Sequence, residues 1–210
     1  MANYDRKDPT YWAAKSAGLR SRAGIKLEDL DSRFRLLAPG RRVVDLGCWP
    51  GAWLQVASKR VGPGGVVVGV DLVAVQPLGF DNVITVVGDA GDAAVQDSIL
   101  HAVAGPIDVV LSDLAPKLTG IRSTDDAREE VLVEVALDFA RRVLVPGGKM
   151  LIKLFSRVEP EARKRLREDF DKVTTWRPPS TRKGSSEIYA MAAGKRGAAT
   201  GNPMTQEKPS

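Results

Sequence analysis

The chain has 210 residues, 43% of them hydrophobic, and this length and composition suit a single domain with one core. Its 31 basic and 26 acidic residues give a net charge of +5, which is compatible with a nucleic-acid partner. The single cysteine, Cys48, and the single histidine, His101, exclude an internal disulfide and a zinc or iron site of the usual type. We therefore expect chemistry that uses carboxylates, amines and hydroxyls, with no metal.

The N-terminal segment, residues 1–20, is polar and basic and is predicted to be an arm outside the domain. It lacks the apolar region of a signal peptide, and no apolar run in the chain approaches the length of a membrane span. We therefore expect a cytoplasmic protein with no membrane partner. Basic residues concentrate before the first predicted strand and again after residue 156, and we expect these two segments to form one basic surface.

Apolar residues recur at strand and helix periods in alternation along most of the chain. Strands are predicted at 43–46, 66–70, 83–87, 107–111, 149–155, 173–176 and 188–192, and helices at 21–37, 52–60, 93–104, 125–144 and 159–170. This alternation indicates an α/β domain over residues 21–193, built on one mostly parallel seven-stranded sheet. Residues 194–210 have nothing to bury and are predicted to be a disordered tail.

A glycine-bearing turn follows the first predicted strand and opens the next helix. Gly47 and Gly51 carry no side chains, so backbone N–H groups at the start of this helix can approach a ligand closely. Their spacing matches neither the Gly-x-Gly-x-x-Gly dinucleotide motif nor a P-loop, which ends in Gly-Lys-Ser/Thr. Asp45 suits a cationic ligand better than a phosphate. An ordinary turn with no ligand is the alternative.

Three later predicted strands end on or beside an aspartate, namely Asp71, Asp89 and Asp113. Ligands of open α/β sheets bind beyond the carboxyl ends of the strands, so we expect all three side chains beside the glycine turn. Asp71 suits the diol of a ribose, and Asp89 suits the exocyclic amine of a base. Each aspartate alone could be a polar strand end, but the three together favour a ligand site.

Lys153 interrupts the otherwise apolar fifth strand. A lysine in such a strand must reach solvent or be paired, because burial of an unpaired charge is costly. Glu187, at the start of the last strand, is the predicted partner of Lys153.

Five segments of the chain resemble, in the same order, motifs of the FtsJ/RlmE family of ribose 2'-O-methyltransferases. The resemblance covers roughly residues 15–193. The segments are RSRAGIKL (20–27), DLGCWPGAW (45–53), LSDLAP (111–116), LIKLF (151–155) and SEIY (186–189).

The resemblance implies a single-domain, Rossmann-like class I methyltransferase fold, with helices on both faces of the sheet and S-adenosylmethionine as the cofactor. Bacterial members of the family modify a uridine ribose in the A-loop of large-subunit rRNA, so this rRNA or the 50S subunit is the expected partner of a monomeric enzyme. The residues implied at the cofactor are Gly47, Gly51, Trp53, Asp71, Asp89 and Asp113, and those implied in the catalytic tetrad are Lys26, Asp113, Lys153 and Glu187.

The chain departs from the family in the glycine turn. Cys48 and Trp49 stand where small residues are more usual, and Ala52 stands where a second glycine is. Trp49 is expected either to crowd the turn or to pack beneath the helix that follows, and Cys48 is expected to be a small packing residue.

A ribose 2'-hydroxyl is a poor nucleophile, so its proton must be removed as it attacks a methyl group. Lys153 is the candidate for a general base or for a group that orients the hydroxyl. A free lysine has a pKa of about 10.4, and it becomes a base at neutral pH only through desolvation or a neighbouring cation such as Lys26. Asp113 and Glu187 would favour its charged form, so both roles for Lys153 stay open.

Three alternatives remain at this point. The same four residues occur in related enzymes that methylate tRNA anticodon loops or mRNA caps. A non-catalytic RNA-binding factor in ribosome assembly could use the same scaffold, although such a protein would be expected to lose one of the four residues. A nicotinamide-dependent dehydrogenase is disfavoured by the spacing of the glycines.

Overall fold

Helices and strands alternate along the chain in a computed structural model, which describes residues 9–182 and 184–197. The helices are α1 (Pro9–Ser16), α2 (Ala23–Phe34), α3 (Ala52–Val61), α4 (Ala93–Val103), α5 (Arg122–Val143) and α6 (Glu159–Asp169). The strands are β1 (Arg42–Leu46), β2 (Val66–Asp71), β3 (Val83–Val87), β4 (Ile107–Ser112), β5 (Leu144–Phe155), β6 (Phe170–Trp176) and β7 (Glu187–Lys195).

In the described part of the chain, the strands form one seven-stranded sheet in the order β3-β2-β1-β4-β5-β7-β6. The first five strands are parallel, and β7 inserts antiparallel between β5 and β6. The chain winds outward from β1 to β3 and then crosses back to β4 on the other side of β1. Strand order therefore reverses between β1 and β4, which is the point where α/β sheets of this kind bind ligands.

Helices cover both faces of the sheet, as the sequence predicts. Alternate residues of each buried strand point to opposite faces, so Val43 packs with one layer of helices and Val44 with the other. One core contains Leu27 of α2 and Leu54 of α3, and the second contains side chains of α4, α5 and α6, such as Phe139. The predicted α/β architecture is thus confirmed.

Helix α2 ends at Phe34, three residues before the predicted end. Arg35 adopts the left-handed conformation, with φ 50° and ψ 56°, and its N–H donates to the carbonyl of Asp31. The carboxylate of the buried Asp31 accepts the N–H of Leu37 at 2.8 Å, which holds the chain in its new direction. The apolar residue Leu37 is therefore buried without belonging to the helix.

Strand β5 begins at Leu144, five residues earlier than predicted. The sequence Pro146-Gly147-Gly148, which separates the predicted helix 125–144 from the predicted strand 149–155, lies within this strand. Its pairing with β4 shifts register between Ile107 and Val109, and Gly147 has a φ of +81°. The segment is thus an irregular start to the strand, a position where proline and glycine are tolerated.

The domain is wider at both ends than the predicted residues 21–193. Part of the predicted arm forms α1, whose Ala14 is buried in the same core as Leu19 and Leu27. Strand β7 continues to Lys195, two residues past the predicted boundary. The rest of the predicted arm, residues 1–8, and residues 198–210 of the predicted tail lie outside the described residues.

Candidate active site

The turn between β1 and α3 requires glycine at two positions. Gly47 has a φ of +81°, and a Cβ atom there would lie 3.0 Å from the backbone nitrogen of Leu114. Gly51, just before α3, has a φ of +106°, and a Cβ atom there would lie 3.0 Å from the side chain of Val75. Side chains at these positions would strain the turn and push apart the segments that follow β2 and β4.

A cavity of about 380 Å³ opens beside this turn, beyond the carboxyl ends of β1, β2, β3 and β4. Its volume lies within the usual range of small-molecule sites. The residues that line it include Gly47, Asp71, Asp89, Asp113 and Lys153. The structure therefore brings the three strand-end aspartates to one cavity, as the predicted topology required.

Two of these aspartates are held in place by backbone N–H groups. Asp71 accepts the N–H of Trp49 on one oxygen and the N–H of Val73 on the other, each at 2.9 Å. Asp89 accepts the N–H of Gly91 at 2.8 Å. Carboxylate oxygens can each accept a further hydrogen bond, so both residues remain able to bind a ligand.

Asp45 lies at the end of β1 and is completely buried. Neither of its carboxylate oxygens has a hydrogen-bond partner among the described residues. Burial raises the pKa of Asp45 well above its ordinary value, and the nearby carboxylates of Asp113 and Asp71 raise it further. Asp71 and Asp113 line the cavity, and their carboxylates favour a cationic ligand there.

Lys153 and Asp113 form an ion pair in the wall of the cavity. The Nζ atom of Lys153 lies 2.9 Å from Oδ1 of Asp113 and donates to the carbonyl oxygen of the same residue at 2.8 Å. The predicted partner of Lys153, Glu187, instead pairs with Lys26 of α2 at 2.5 Å. In the pairing of β5 with β7, Glu187 lies opposite Phe155, which is two residues beyond Lys153. Glu187 is therefore about 7 Å further along the strand than the position opposite Lys153.

Tyr189, which we did not predict as a site residue, connects the two ion pairs. Its hydroxyl lies 3.4 Å from Oδ1 of Asp113, and Nζ of Lys26 lies 5.9 Å from the centre of its ring. Burial, together with the charges of Asp113 and Glu187, raises the pKa of Tyr189 well above its ordinary value. Its position two residues after Glu187 on a strand was the signal available in the sequence, because such residues share one face.

The structure thus brings all four predicted tetrad residues into two adjacent ion pairs. It does not bring Gly51 or Trp53 to the wall of the cavity. The indole of Trp53 is buried, packs against Tyr189 with ring centres 6.0 Å apart and donates its N–H to the carbonyl of Ala23 at 2.8 Å. Any cofactor contact from Trp53 would therefore use its main chain.

Trp49 neither crowds the turn nor packs beneath α3, contrary to the sequence expectation. It is 57% exposed and lies at the wall of the cavity, because its N–H is fixed to Asp71 while its side chain meets solvent. Cys48 is the buried packing residue that we expected, and burial with the nearby Asp45 raises the pKa of its thiol.

The two basic segments of the sequence meet in space. Helix α2 packs against the end of β6, where Phe34 contacts the ring of Trp176, and against the segment that leads into β7, where Ser180 donates to Asp29 at 2.6 Å. Arg33 and Arg35 lie on one side of this contact and Arg177 on the other, and all three are exposed. We call these three residues the basic surface.

Residues 9–182 and 184–197 lack two features. These residues contain no helix with both the length and the apolar character needed to span a membrane. They also contain no cluster of three or more His, Cys, Asp or Glu side chains able to hold a metal ion.

Comparisons with known proteins point to one family. A family model described as FtsJ-like methyltransferase matches residues 19–195. A protein of Paramagnetospirillum magneticum named ribosomal RNA large subunit methyltransferase E is 47% identical over 90% of this chain and 80% of its own length. A protein of the same name from Methanothermobacter thermautotrophicus is 43% identical over 91% of this chain and 92% of its own length.

Solved structures agree. A crystal structure provisionally described as a ribosomal RNA methyltransferase of Plasmodium falciparum covers 85% of this chain and 100% of its own, with 26% identity and a TM-score of 0.76. Aeropyrum pernix fibrillarin, crystallised with S-adenosyl-L-methionine, is 20% identical with a TM-score of 0.56 over 75% of this chain and 68% of its own, and shares the fold alone. The chain therefore belongs to the FtsJ-like methyltransferase family.

Proposed function

We propose that this chain is an S-adenosylmethionine-dependent methyltransferase that methylates the ribose 2'-hydroxyl of a uridine in the A-loop of large-subunit rRNA. The observation that carries the proposal is the pair of linked ion pairs, Lys153–Asp113 and Lys26–Glu187, at the end of an acidic cavity. Family membership and relatives named for large-subunit rRNA methylation support the same conclusion.

The residues of the cavity fit this cofactor. When bound, S-adenosylmethionine supplies an electrophilic methyl group on a positively charged sulfur. The carboxylates of Asp71 and Asp113 line the cavity and favour a cation there. Close to them, both carboxyl oxygens of the buried Asp45 lack a hydrogen-bond partner among the described residues. Asp71 would hold the ribose hydroxyls, Asp89 the adenine amine and Asp113 the methionine part, while Gly47 keeps the turn open.

Lys153 is the residue that we assign to the target hydroxyl. Its ion pair with Asp113 fixes Nζ at the cavity, where it can hydrogen-bond the 2'-oxygen and orient it. The ion pair with Asp113 favours the ammonium form, which orients the hydroxyl. In its amine form, the same nitrogen would take the proton of the hydroxyl as the 2'-oxygen attacks the methyl group.

The second ion pair and the basic surface would hold the RNA. Lys26 and Glu187 stabilise the wall beside Tyr189, and the exposed guanidinium groups of Arg33, Arg35 and Arg177 are suited to phosphates. We propose that the enzyme acts as a monomer in the cytoplasm, where ribosomal subunits are assembled. Light scattering on the purified protein tests the oligomeric state.

The experiment offers methyl-labelled cofactor with 50S subunits, free large-subunit rRNA and tRNA that lack the modification. We expect label in large-subunit rRNA, at a nucleotide whose 3'-linkage resists alkali because its 2'-oxygen is blocked. Label confined to tRNA would contradict the proposed substrate. A protein that binds cofactor and rRNA but transfers no methyl group would be the non-catalytic assembly factor instead.

A further inference from the structure

Strand β5 extends past the end of β4 and carries Lys153 on its overhang. The last residue of β4, Ser112, pairs with Ile152, so Lys153 and Phe155 have no partner on β4. Instead of pairing with a strand, the N–H of Phe155 donates a hydrogen bond to Oε1 in the side chain of Glu129 on α5. Glu129 therefore replaces the missing strand at the end of β5.

Glu129 is unusual for a residue with a structural role alone. It is only 5% exposed, and its second oxygen, Oε2, is buried without a hydrogen-bond partner among the described residues. Such burial carries a free-energy penalty that glutamine or an apolar residue would largely avoid. Burial raises the pKa of Glu129, while the N–H of Phe155 and the charge of Lys153 act in the opposite direction.

Glu129 also lies close to the amine that the proposed reaction uses. Glu129 and Lys153 line the same narrow cavity between α5 and the sheet, together with Ser112 and Leu114. This cavity lies behind the wall of the cofactor site, which Lys153 and Leu114 also line. Lys153 is thus held by Asp113 at the cofactor site, and Glu129 lies close enough on the side of α5 to feel its charge.

We propose that Glu129 is a positioning residue for Lys153, an inference that rests on the proposed methyl transfer. One oxygen of Glu129 fixes the overhang of β5 through Phe155, and its carboxyl group lies in the same narrow cavity as Lys153, whose ammonium group pairs with Asp113. Because Phe155 lies opposite Glu187, the same hydrogen bond also fixes the strand that carries the second acid of the tetrad.

The pH dependence of this arrangement involves every charged group packed around the two residues. Asp113 faces Lys153 from the segment after β4, and Tyr189 and Glu187 face the site from β7. The remaining charged neighbours are Lys26 on α2, Asp126 on α5 and Arg157 after β5. Of the two acids on α5 named here, Glu129 is the one that lines the same cavity as Lys153.

The test compares Glu129→Ala and Glu129→Gln with a control, Glu130→Gln, at the exposed neighbour on the same helix. Glutamine keeps an oxygen that can accept the N–H of Phe155 but removes the charge, and alanine removes both. Each variant is measured for kcat and KM with rRNA across pH, for cofactor affinity by calorimetry, and for amide hydrogen exchange over 150–156.

We expect Glu129→Ala to lower kcat at least tenfold, to change cofactor affinity less than twofold and to speed exchange at the end of β5. Glu129→Gln should keep slow exchange, lose less kcat and shift the pH–rate profile to lower pH, because a negative charge beside an ammonium group is gone. Glu130→Gln should match the wild type.

Wild-type kcat in Glu129→Ala would overturn the proposal, as would a loss of kcat matched by equal losses of cofactor affinity and thermal stability. Exchange that is equally slow in both Glu129 variants would also overturn it. If the wild type itself methylates no RNA, the proposed function fails. The exchange data then still decide whether Glu129 fixes the strand.

Discussion

Lys153→Met removes the ammonium group of the proposed catalytic pair and keeps the alkyl chain that packs in β5. In the wild type this group makes an ion pair with Asp113 at 2.9 Å and a hydrogen bond to its carbonyl oxygen at 2.8 Å. After the substitution, the hydroxyl of Tyr189, 3.4 Å away, is the remaining side-chain donor to the Asp113 carboxylate in the described structure. The variant therefore tests the chemistry and the stability of one contact together.

The structure sets the size of both effects. Removing one partner of a buried ion pair costs about 3–5 kcal/mol. The side chains of Lys153 and Asp113 are 10% and 24% exposed, so water compensates part of the loss, and we expect unfolding to become easier by about 2 kcal/mol. Loss of a group that moves a proton lowers kcat by about 10²–10⁴-fold, so catalysis should suffer more than folding.

The assay combines single-turnover methyl transfer to rRNA, calorimetry of cofactor binding and unfolding in urea. Lys149→Met is the matched control, because Lys149 lies on the same strand and donates to the carbonyl of Arg35 at 2.7 Å, away from the cavity. The cofactor affinity of both variants should stay within about threefold of the wild-type value. Such a change in binding free energy is smaller than the contribution of one ordinary hydrogen bond. Adding Asp113→Asn to Lys153→Met should restore about 1 kcal/mol of stability, because the unpaired charge is gone.

Normal turnover in Lys153→Met would refute the role assigned to Lys153. An equal loss of turnover in Lys149→Met would show that the effect comes from the strand and not from the site. A large loss of cofactor affinity in Lys153→Met alone would move Lys153 from the target hydroxyl to the cofactor.

Three further substitutions test other parts of the site. Asp71→Ala should weaken cofactor binding about tenfold or more, because a charged acceptor is lost and the N–H of Trp49 loses its partner. Calorimetry measures this affinity, and an unchanged value would mean that the ribose binds elsewhere. Tyr189→Phe should lower kcat severalfold, as expected for one hydrogen bond, and a wild-type rate would exclude the hydroxyl from the site. The raised pKa of Asp45 means that the folded state keeps a proton that the unfolded state loses above pH of about 4, so wild-type stability falls as pH rises. Asp45→Asn should therefore gain stability relative to the wild type as pH rises above about 4. A difference in the free energy of urea unfolding that stays constant with pH would contradict the raised pKa.

Much of the fold could be predicted from the sequence because apolar periodicity reports which residues face a core. The strands at 66–70, 83–87 and 107–111 are found within one residue of their predicted ends. The exceptions occur where a single polar contact decides the path of the chain. Helix α2 stops at Phe34 because Arg35 turns left-handed and Asp31 caps the turn, and neither event changes the hydrophobic pattern.

The sequence by itself determined which residue types the site contains. The glycines of the turn, the acids at the strand ends and the lysine inside an apolar strand are each visible as local departures from what a core or a surface would require. Their grouping at one edge of the sheet follows from parallel strands alone, since such strands end together.

Only the tertiary structure decided which of these groups touch. The antiparallel register of β7 places Tyr189 opposite Lys153 and moves Glu187 two residues further along, within reach of Lys26. Register between strands that are distant in sequence depends on how both strands pack into a shared core, and periodicity along one strand carries no information about it. The partner of Lys153 and the inclusion of Tyr189 therefore became known from the folded chain.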